Sequence, residues 1–187
     1  MTKFQIKKIN EHSPLRKEVE EIMEHSFPLN ERLSLDPFFS EKISTAEIFV
    51  LTEAHRDDVI GFYTSLRKAP YSYLFYIAVD PDKRGKGAGS RLVEDFLSKS
   101  HNHTAFLDCE AVYPGCTNFE KRRARLDFYS RHGFHPVGGM KTWRGEKFLT
   151  LVHGNSILTE KEIENFWAYF DKLWEGETVA TVPEETN

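Results

Sequence analysis

Cysteine is scarce in this chain, and so are long apolar runs and any excess of positive charge. The two cysteines among 187 residues, Cys109 and Cys116, have neither metal-ligand spacing nor a histidine beside them in sequence. That sets aside a zinc site, and Cys109, inside an apolar run, is expected as a small buried side chain. No apolar stretch reaches membrane-spanning length, and Met1-Thr2-Lys3-Phe4-Gln5-Ile6 lacks the apolar core of a signal peptide, so no membrane association and a cytoplasmic location are expected. Lysine and arginine number 25 against 29 acidic residues, a net charge of −4. They are dispersed except in Lys121-Arg122-Arg123-Ala124-Arg125, which excludes nucleic acid as the expected partner. Most of that run reads as a solvated helix face, because only one or two positions of a helix can turn toward a ligand. His101-x-His103 reads as a polar turn between helix and strand, and no metal is expected.

What the chain does have is a glycine-rich junction. Tyr73 to Val79 is aromatic and branched and reads as a strand, whereas Leu92, Val93, Phe96 and Leu97 mark one face of a helix. Between them lies Asp80-Pro81-Asp82-Lys83-Arg84-Gly85-Lys86-Gly87-Ala88-Gly89-Ser90. Glycines at alternate positions let backbone N–H groups converge, and the following helix adds its positive end, which suits a pyrophosphate. The spacing lacks the GxGxxG of a dinucleotide turn, and no Lys-Ser or Lys-Thr follows as a P-loop needs.

A second element stands about forty residues on. In Leu126-Asp127-Phe128-Tyr129-Ser130-Arg131-His132-Gly133-Phe134, Leu126 and Tyr129 share a helical face, Gly133 is placed to cap the helix, and Phe134 begins an extended segment. Taken alone, Tyr129 reads as an amphipathic core residue with its hydroxyl at the rim. Thr104-Ala105-Phe106-Leu107-Asp108-Cys109 between the two elements reads as a strand.

The RxxGxG of Arg84, Gly87 and Gly89, after a strand ending Ile-Ala-Val, together with the FYxxxGF of Phe128 to Phe134, resembles the GNAT superfamily of acyl-CoA-dependent N-acetyltransferases. The resemblance covers roughly residues 3 to 153. It implies acetyl-CoA as cosubstrate, bound by the Ile77-Ala78-Val79 backbone and by Arg84, Gly85, Lys86, Gly87, Ala88, Gly89 and Ser90.

The remaining elements fit an α/β (α+β) domain with a mixed, mostly antiparallel sheet of six to seven strands flanked by helices. Phe4 to Ile9 alternates as a first strand. Ser13-Pro14 offers an N-cap with proline at the first helical position, and Phe27-Pro28 stops that helix. Asp36-Pro37 opens a short helix. Ala46 to Thr52 and Val59 to Leu66 form a hairpin around His55-Arg56-Asp57-Asp58, and Phe134 to Trp143 pairs with Lys147 to His153. The expected organisation is a GNAT-like domain over 1–154, a C-terminal helix over 155–175 packed on the core or at a homodimer interface, and a polar tail over 176–187. Thr159 and Glu162 form a capping box for that helix, with Ile163, Phe166, Trp167, Phe170, Leu173 and Trp174 on one face.

Acyl transfer to an amine passes through a tetrahedral oxyanion, so it needs an oxyanion donor, a base for the amine and a proton for the leaving thiolate. By resemblance, the end of the fourth strand supplies the donor and Tyr129 the acid. Histone-type relatives carry a glutamate early in that strand, where this chain has Tyr73, so the base is sought elsewhere. Glu110 at the end of the fifth strand and Glu31 in Phe27-Pro28-Leu29-Asn30-Glu31-Arg32 are the candidates, the latter in a segment similar to the FPxxE of arylalkylamine-type relatives. Each also has a plain reading, Glu31 as an exposed loop residue and Glu110 as a strand-end salt bridge. Arg122 stands where many relatives have an asparagine touching the pantetheine, and neither it nor Asn118 is assigned to the cofactor. The expected acceptor is a small-molecule or peptide amine. The alternatives are a non-catalytic CoA-binding sensor or partner-regulating domain, and a structural module that binds no nucleotide.

Overall fold

The computed structural model describes residues 4–54 and 58–175. Residues 55–57 of the expected His55–Asp58 turn and the 176–187 tail lie outside the described residues. Seven strands form one sheet: β1 (Phe4–Ile9), β2 (Ala46–Glu53), β3 (Val59–Lys68), β4 (Tyr71–Val79), β5 (Thr104–Glu110), β6 (Phe134–Trp143) and β7 (Glu146–His153). They lie in the order β1-β2-β3-β4-β5-β7-β6. Neighbours are antiparallel except β4 and β5, whose parallel pairing needs the crossover that helix α3 (Ala88–Lys99) provides.

The strand alternation separates two cores. On one face Phe62 and Phe106 pack with helices α1 (Arg16–Ser26) and α2 (Asp36–Phe39) through Val19 and Phe38. The other face carries Tyr63, Leu107 and Leu151 against α3 and α4 (Phe119–Arg131), with Leu92, Val93 and Phe96 fully buried. Each such side chain contributes roughly 1.5–3 kcal/mol by leaving water. Gly61 in β3 permits the close approach to β4, since a Cβ there would stand 2.5 Å from the Ala78 carbonyl oxygen.

Helix α1 begins later than the sequence suggests. Its N-cap is Leu15, without a side-chain cap, whereas the Ser13 hydroxyl accepts the Leu15 N–H at 3.3 Å. Ser13 therefore closes a turn ahead of the helix instead of capping it. Helix α5 (Glu160–Phe170) has the expected capping box, with the Thr159 side chain and the Glu162 carboxylate each bonding the other's backbone N–H. It buries Phe166 and Phe170 on the α1 face of the sheet, where Phe166 meets Phe106 with centroids 5.0 Å apart.

Strand β4 changes character midway. Its register against β3 jumps from Leu74, paired with Ser65, to Tyr76, paired with Thr64, so Phe75 is an extra residue. This bulge places Phe75 and Tyr76 on the same face, their ring centroids 4.6 Å apart. The ladder to β5 ends one residue earlier, at Leu74 and Leu107, and beyond it the two strands splay.

Candidate active site

The splay opens into a cavity of about 610 Å³. Three side chains from distant parts of the sequence line it: Glu31 from the turn Leu29–Glu31 after α1, Glu110 from the end of β5 and Tyr129 from the last turn of α4. These are the predicted catalytic residues, and the structure brings them into one pocket. Ile77 lines it as well.

Glu31 is 9% exposed, and its carboxylate has no hydrogen bond or ion pair among the described residues. Burial first, and then the nearby Glu110, push its pKa up to about 7, against a smaller opposing pull from Arg125. The reading of Glu31 as an exposed loop residue is therefore corrected. The loop is fixed by Tyr76, whose hydroxyl donates to the Glu31 carbonyl at 2.7 Å and accepts the Leu33 N–H at 2.9 Å. Arg144, in the turn between β6 and β7, adds Nη1 hydrogen bonds to the Asn30 and Arg32 carbonyls, each 3.2 Å. Neither Tyr76 nor Arg144 is marked by a local motif. A tyrosine inside an apolar strand, with a hydroxyl that must be satisfied, is the available sequence signal.

Glu110 is equally buried, but it is held by an ion pair to Arg125 and by Arg122 Nε at 3.5 Å from its Oε1. Arg122, only 2% exposed, also donates to Glu146 Oε2 at 2.8 Å and Thr117 Oγ1 at 3.2 Å. As expected, most of the basic run is solvated and one or two positions turn inward: Arg122 is buried, and Arg125, three residues on and still exposed, reaches Glu110. Asn118 sits at the α4 N-cap with φ 54° and no side-chain cap. Nearby, Tyr73 donates to Asp108 Oδ2 at 3.0 Å, and Asp108 also takes Lys141 at 2.9 Å and the Thr150 hydroxyl at 2.7 Å. The strand residue found in place of a glutamate is thus tied into a closed polar cluster.

Tyr129 packs against Phe128 and Phe134, and its hydroxyl has no hydrogen-bond partner among the described residues. Burial raises its pKa above the ordinary phenol range, assisted by Cys109 and Glu110. The neighbouring Cys109 thiol, buried as expected, is pushed up to about 12, chiefly by desolvation.

The glycine-rich loop lies outside this cavity, joined to it by the β4 edge. The Asp80 N–H bonds the Ile60 carbonyl at 2.8 Å, so by alternation Ala78 directs its backbone to β3 while Ile77 and Val79 direct theirs into the splay. Ala78 is thereby corrected as a backbone ligand. Val79's carbonyl accepts Arg84 Nε at 3.1 Å, so Arg84 ties the loop to the strand end. Gly85, Lys86 and Gly87 are exposed, Gly89 and Ser90 half-buried, and Ala88 buried. Gly87 caps α3 with φ 80°, and no side chain caps the helix. A Cβ at Gly85 or Gly87 would meet nothing within 4 Å. The space beside Gly85 and Gly87 is thus open at the start of a twelve-residue helix whose first turn has no side-chain cap, which fits a bound phosphate.

Comparison with known proteins agrees with this geometry. Residues 44–136 match the model of the acetyltransferase (GNAT) domain, a segment that includes the loop, Glu110 and Tyr129. A GNAT-family protein from Bacteroides thetaiotaomicron superposes with a TM-score of 0.72 at 21% identity, over 92% of this chain and 99% of that one. The ribosomal-protein-S18-alanine N-acetyltransferase of Escherichia coli gives 0.60 at 23% identity, over 84% and 97%. An aminoglycoside 6′-N-acetyltransferase complexed with coenzyme A gives 0.59 at 15%, over 83% and 99%. No curated protein matches the sequence significantly. With the domain match spanning the loop and two of the pocket residues, and the whole fold shared, the chain belongs to the GNAT superfamily and is an acyltransferase.

Proposed function

We propose that this acyltransferase moves an acetyl group from acetyl-CoA to a primary amine, by direct attack of the amine on the thioester in a ternary complex. The observation that carries the reading is the convergence of Glu31, Glu110 and Tyr129 on one cavity at the splay of β4 and β5. The loop from Arg84 to Ser90 holds the pyrophosphate with backbone N–H groups at the start of α3. Ile77 and Val79, their backbones turned into the splay, take the pantetheine arm, and an N–H of that edge stabilises the developing oxyanion. What the cosubstrate supplies is the activated thioester.

Glu31 serves as the base. An unpartnered buried carboxylate with a pKa of about 7 can hold the cationic amine and accept its proton at neutral pH. Glu110 is occupied by its arginines, so its part is to keep them in place while its charge raises the affinity of Glu31 for protons. Tyr129 stays protonated throughout the working range and donates to the departing thiolate. A departing thiolate, with an ordinary thiol pKa of about 8.5, needs that proton to leave cleanly at neutral pH.

The test is acetyl-CoA titration by calorimetry, followed by thiol release with a panel of primary amines. Amine-dependent release supports the reading; binding without release favours a CoA sensor. Gly87→Asp should lose about tenfold or more in CoA affinity through charge repulsion. Gly87→Ala, at least as strained at φ 80° but uncharged, should lose less.

A further inference from the structure

The cavity has a wall that the matched segment 44–136 does not contain. Helix α5 and the turn Asp171–Trp174 place Ile163, Trp167 and Trp174 along it. This wall is fixed in place. The Trp174 ring stacks on Phe75 at 5.2 Å and 19°, and its Nε1–H donates to the Ser34 carbonyl at 3.0 Å. Trp167 meets Tyr73 edge-on at 4.8 Å. The Tyr71 hydroxyl donates to Glu162 at 2.6 Å, anchoring the first turn of α5 to β4. Arg144 straps the β6–β7 turn to the loop around Glu31, and Trp143, the last residue of β6, also stands at the cavity.

The charges are distributed unequally. Among the cationic side chains lining the cavity, Arg125 is spent on Glu110, Lys141 on Asp108, and Arg144 on backbone carbonyls. Glu31 alone of the deep carboxylates, 9% exposed, has no partner among the described residues. A pocket of about 610 Å³ with fixed indole walls and one unpaired buried carboxylate offers a flat apolar group large contact area and an ammonium a single anchor.

We infer that the acceptor is a small free amine with a flat apolar body, seated against the Trp167–Trp174 wall with its ammonium at Glu31, and that this wall excludes polypeptide acceptors. The inference rests on the acyl-transfer reading above and adds the substrate class and the residues that select it. The unpaired carboxylate supplies the attraction. The indole wall supplies the discrimination, because a polypeptide chain entering the pocket would have to displace it.

The test compares 2-phenylethylamine with a free-N-terminus tetrapeptide, measuring thiol release and amine binding by calorimetry in the presence of CoA. The wild type should favour phenylethylamine by about 100-fold in kcat/KM. Trp167→Ala should raise its KM about tenfold, at unchanged acetyl-CoA affinity, and narrow the preference. Trp167→Leu, which keeps apolar volume but removes the flat ring, should also narrow the preference, by about threefold, and covers the case in which the alanine variant folds poorly. Peptide turnover equal to that of phenylethylamine in the wild type, or Trp167 variants with an unchanged ratio, would overturn the inference while leaving acyl transfer intact. Thiol release from no amine, with acetyl-CoA bound, would overturn both.

Discussion

Glu31 and Glu110 are buried to the same degree, each 9% exposed, and line the same cavity, yet their electrical surroundings are opposite. Glu110 ends a strand and meets two arginines from α4. Glu31 sits in a loop held by contacts to its backbone, so its own carboxylate is left without a partner among the described residues. Burial by itself therefore does not decide what a carboxylate can do. A paired one fixes charge in place, whereas an unpaired one is poised to change charge.

The comparison breaks most visibly in rate. Glu31→Gln should lower kcat/KM for the amine by about two to four orders of magnitude, with acetyl-CoA affinity retained. Loss of less than threefold would remove Glu31 as the base. Tyr129→Phe should slow kcat by roughly one to three decades with the KM for acetyl-CoA unchanged, which single-turnover kinetics can check.

Stability separates the two carboxylates by sign. Glu110→Gln leaves the buried Arg122 with fewer compensating charges and should cost about 3 kcal/mol, read as a shift in the urea midpoint. Glu31→Gln should instead stabilise the protein above pH 7 by on the order of 2–3 kcal/mol. The direction follows from the raised pKa. The unfolded carboxyl ionises near its ordinary 4.5 while the folded one holds its proton to about 7. Stability contributed by this group thus falls as pH rises between those values and is lowest above them. Activity should run the other way, rising through about pH 7 as Glu31 becomes a base. That limb of the pH–rate profile should vanish in Glu31→Gln, the smallest and sharpest of these effects.

Much of the frame was legible because it is local. Alternation marks β1, aromatic and branched content marks β4, the alternate glycines mark the loop, and the capping box marks α5. The resemblance carried by Arg84–Gly89 and Phe128–Phe134 located Tyr129 and led to both carboxylates. What stayed illegible is long-range. Nothing near Arg122 or Arg125 shows that they face Glu110 across the α4–β5 contact, and nothing near Arg144 shows that it reaches Asn30. The Ser13 start of α1 failed because a hydroxyl that can cap a helix can equally close a turn two residues on. Ala78 failed as a ligand because which amide faces the gap depends on a bulge that only strand pairing shows.

That bulge shifts the count along the strand by one. Before Phe75, odd-numbered residues of β4 look toward the α1 and α5 layer; after it, even-numbered ones do. Deleting Phe75 would leave both halves of the strand equally apolar and equally able to pair with β3. Tyr76 would then follow Leu74 in plain alternation, with Ala78 still bonded to β3 and Ile77 and Val79 still turned away from it, so that only the extra ring beside Tyr76 and its stack on Trp174 would be lost. The uncounted residue thus gives the pocket side of the sheet two aromatic rings in a row, Phe75 and Tyr76, where plain alternation would supply one.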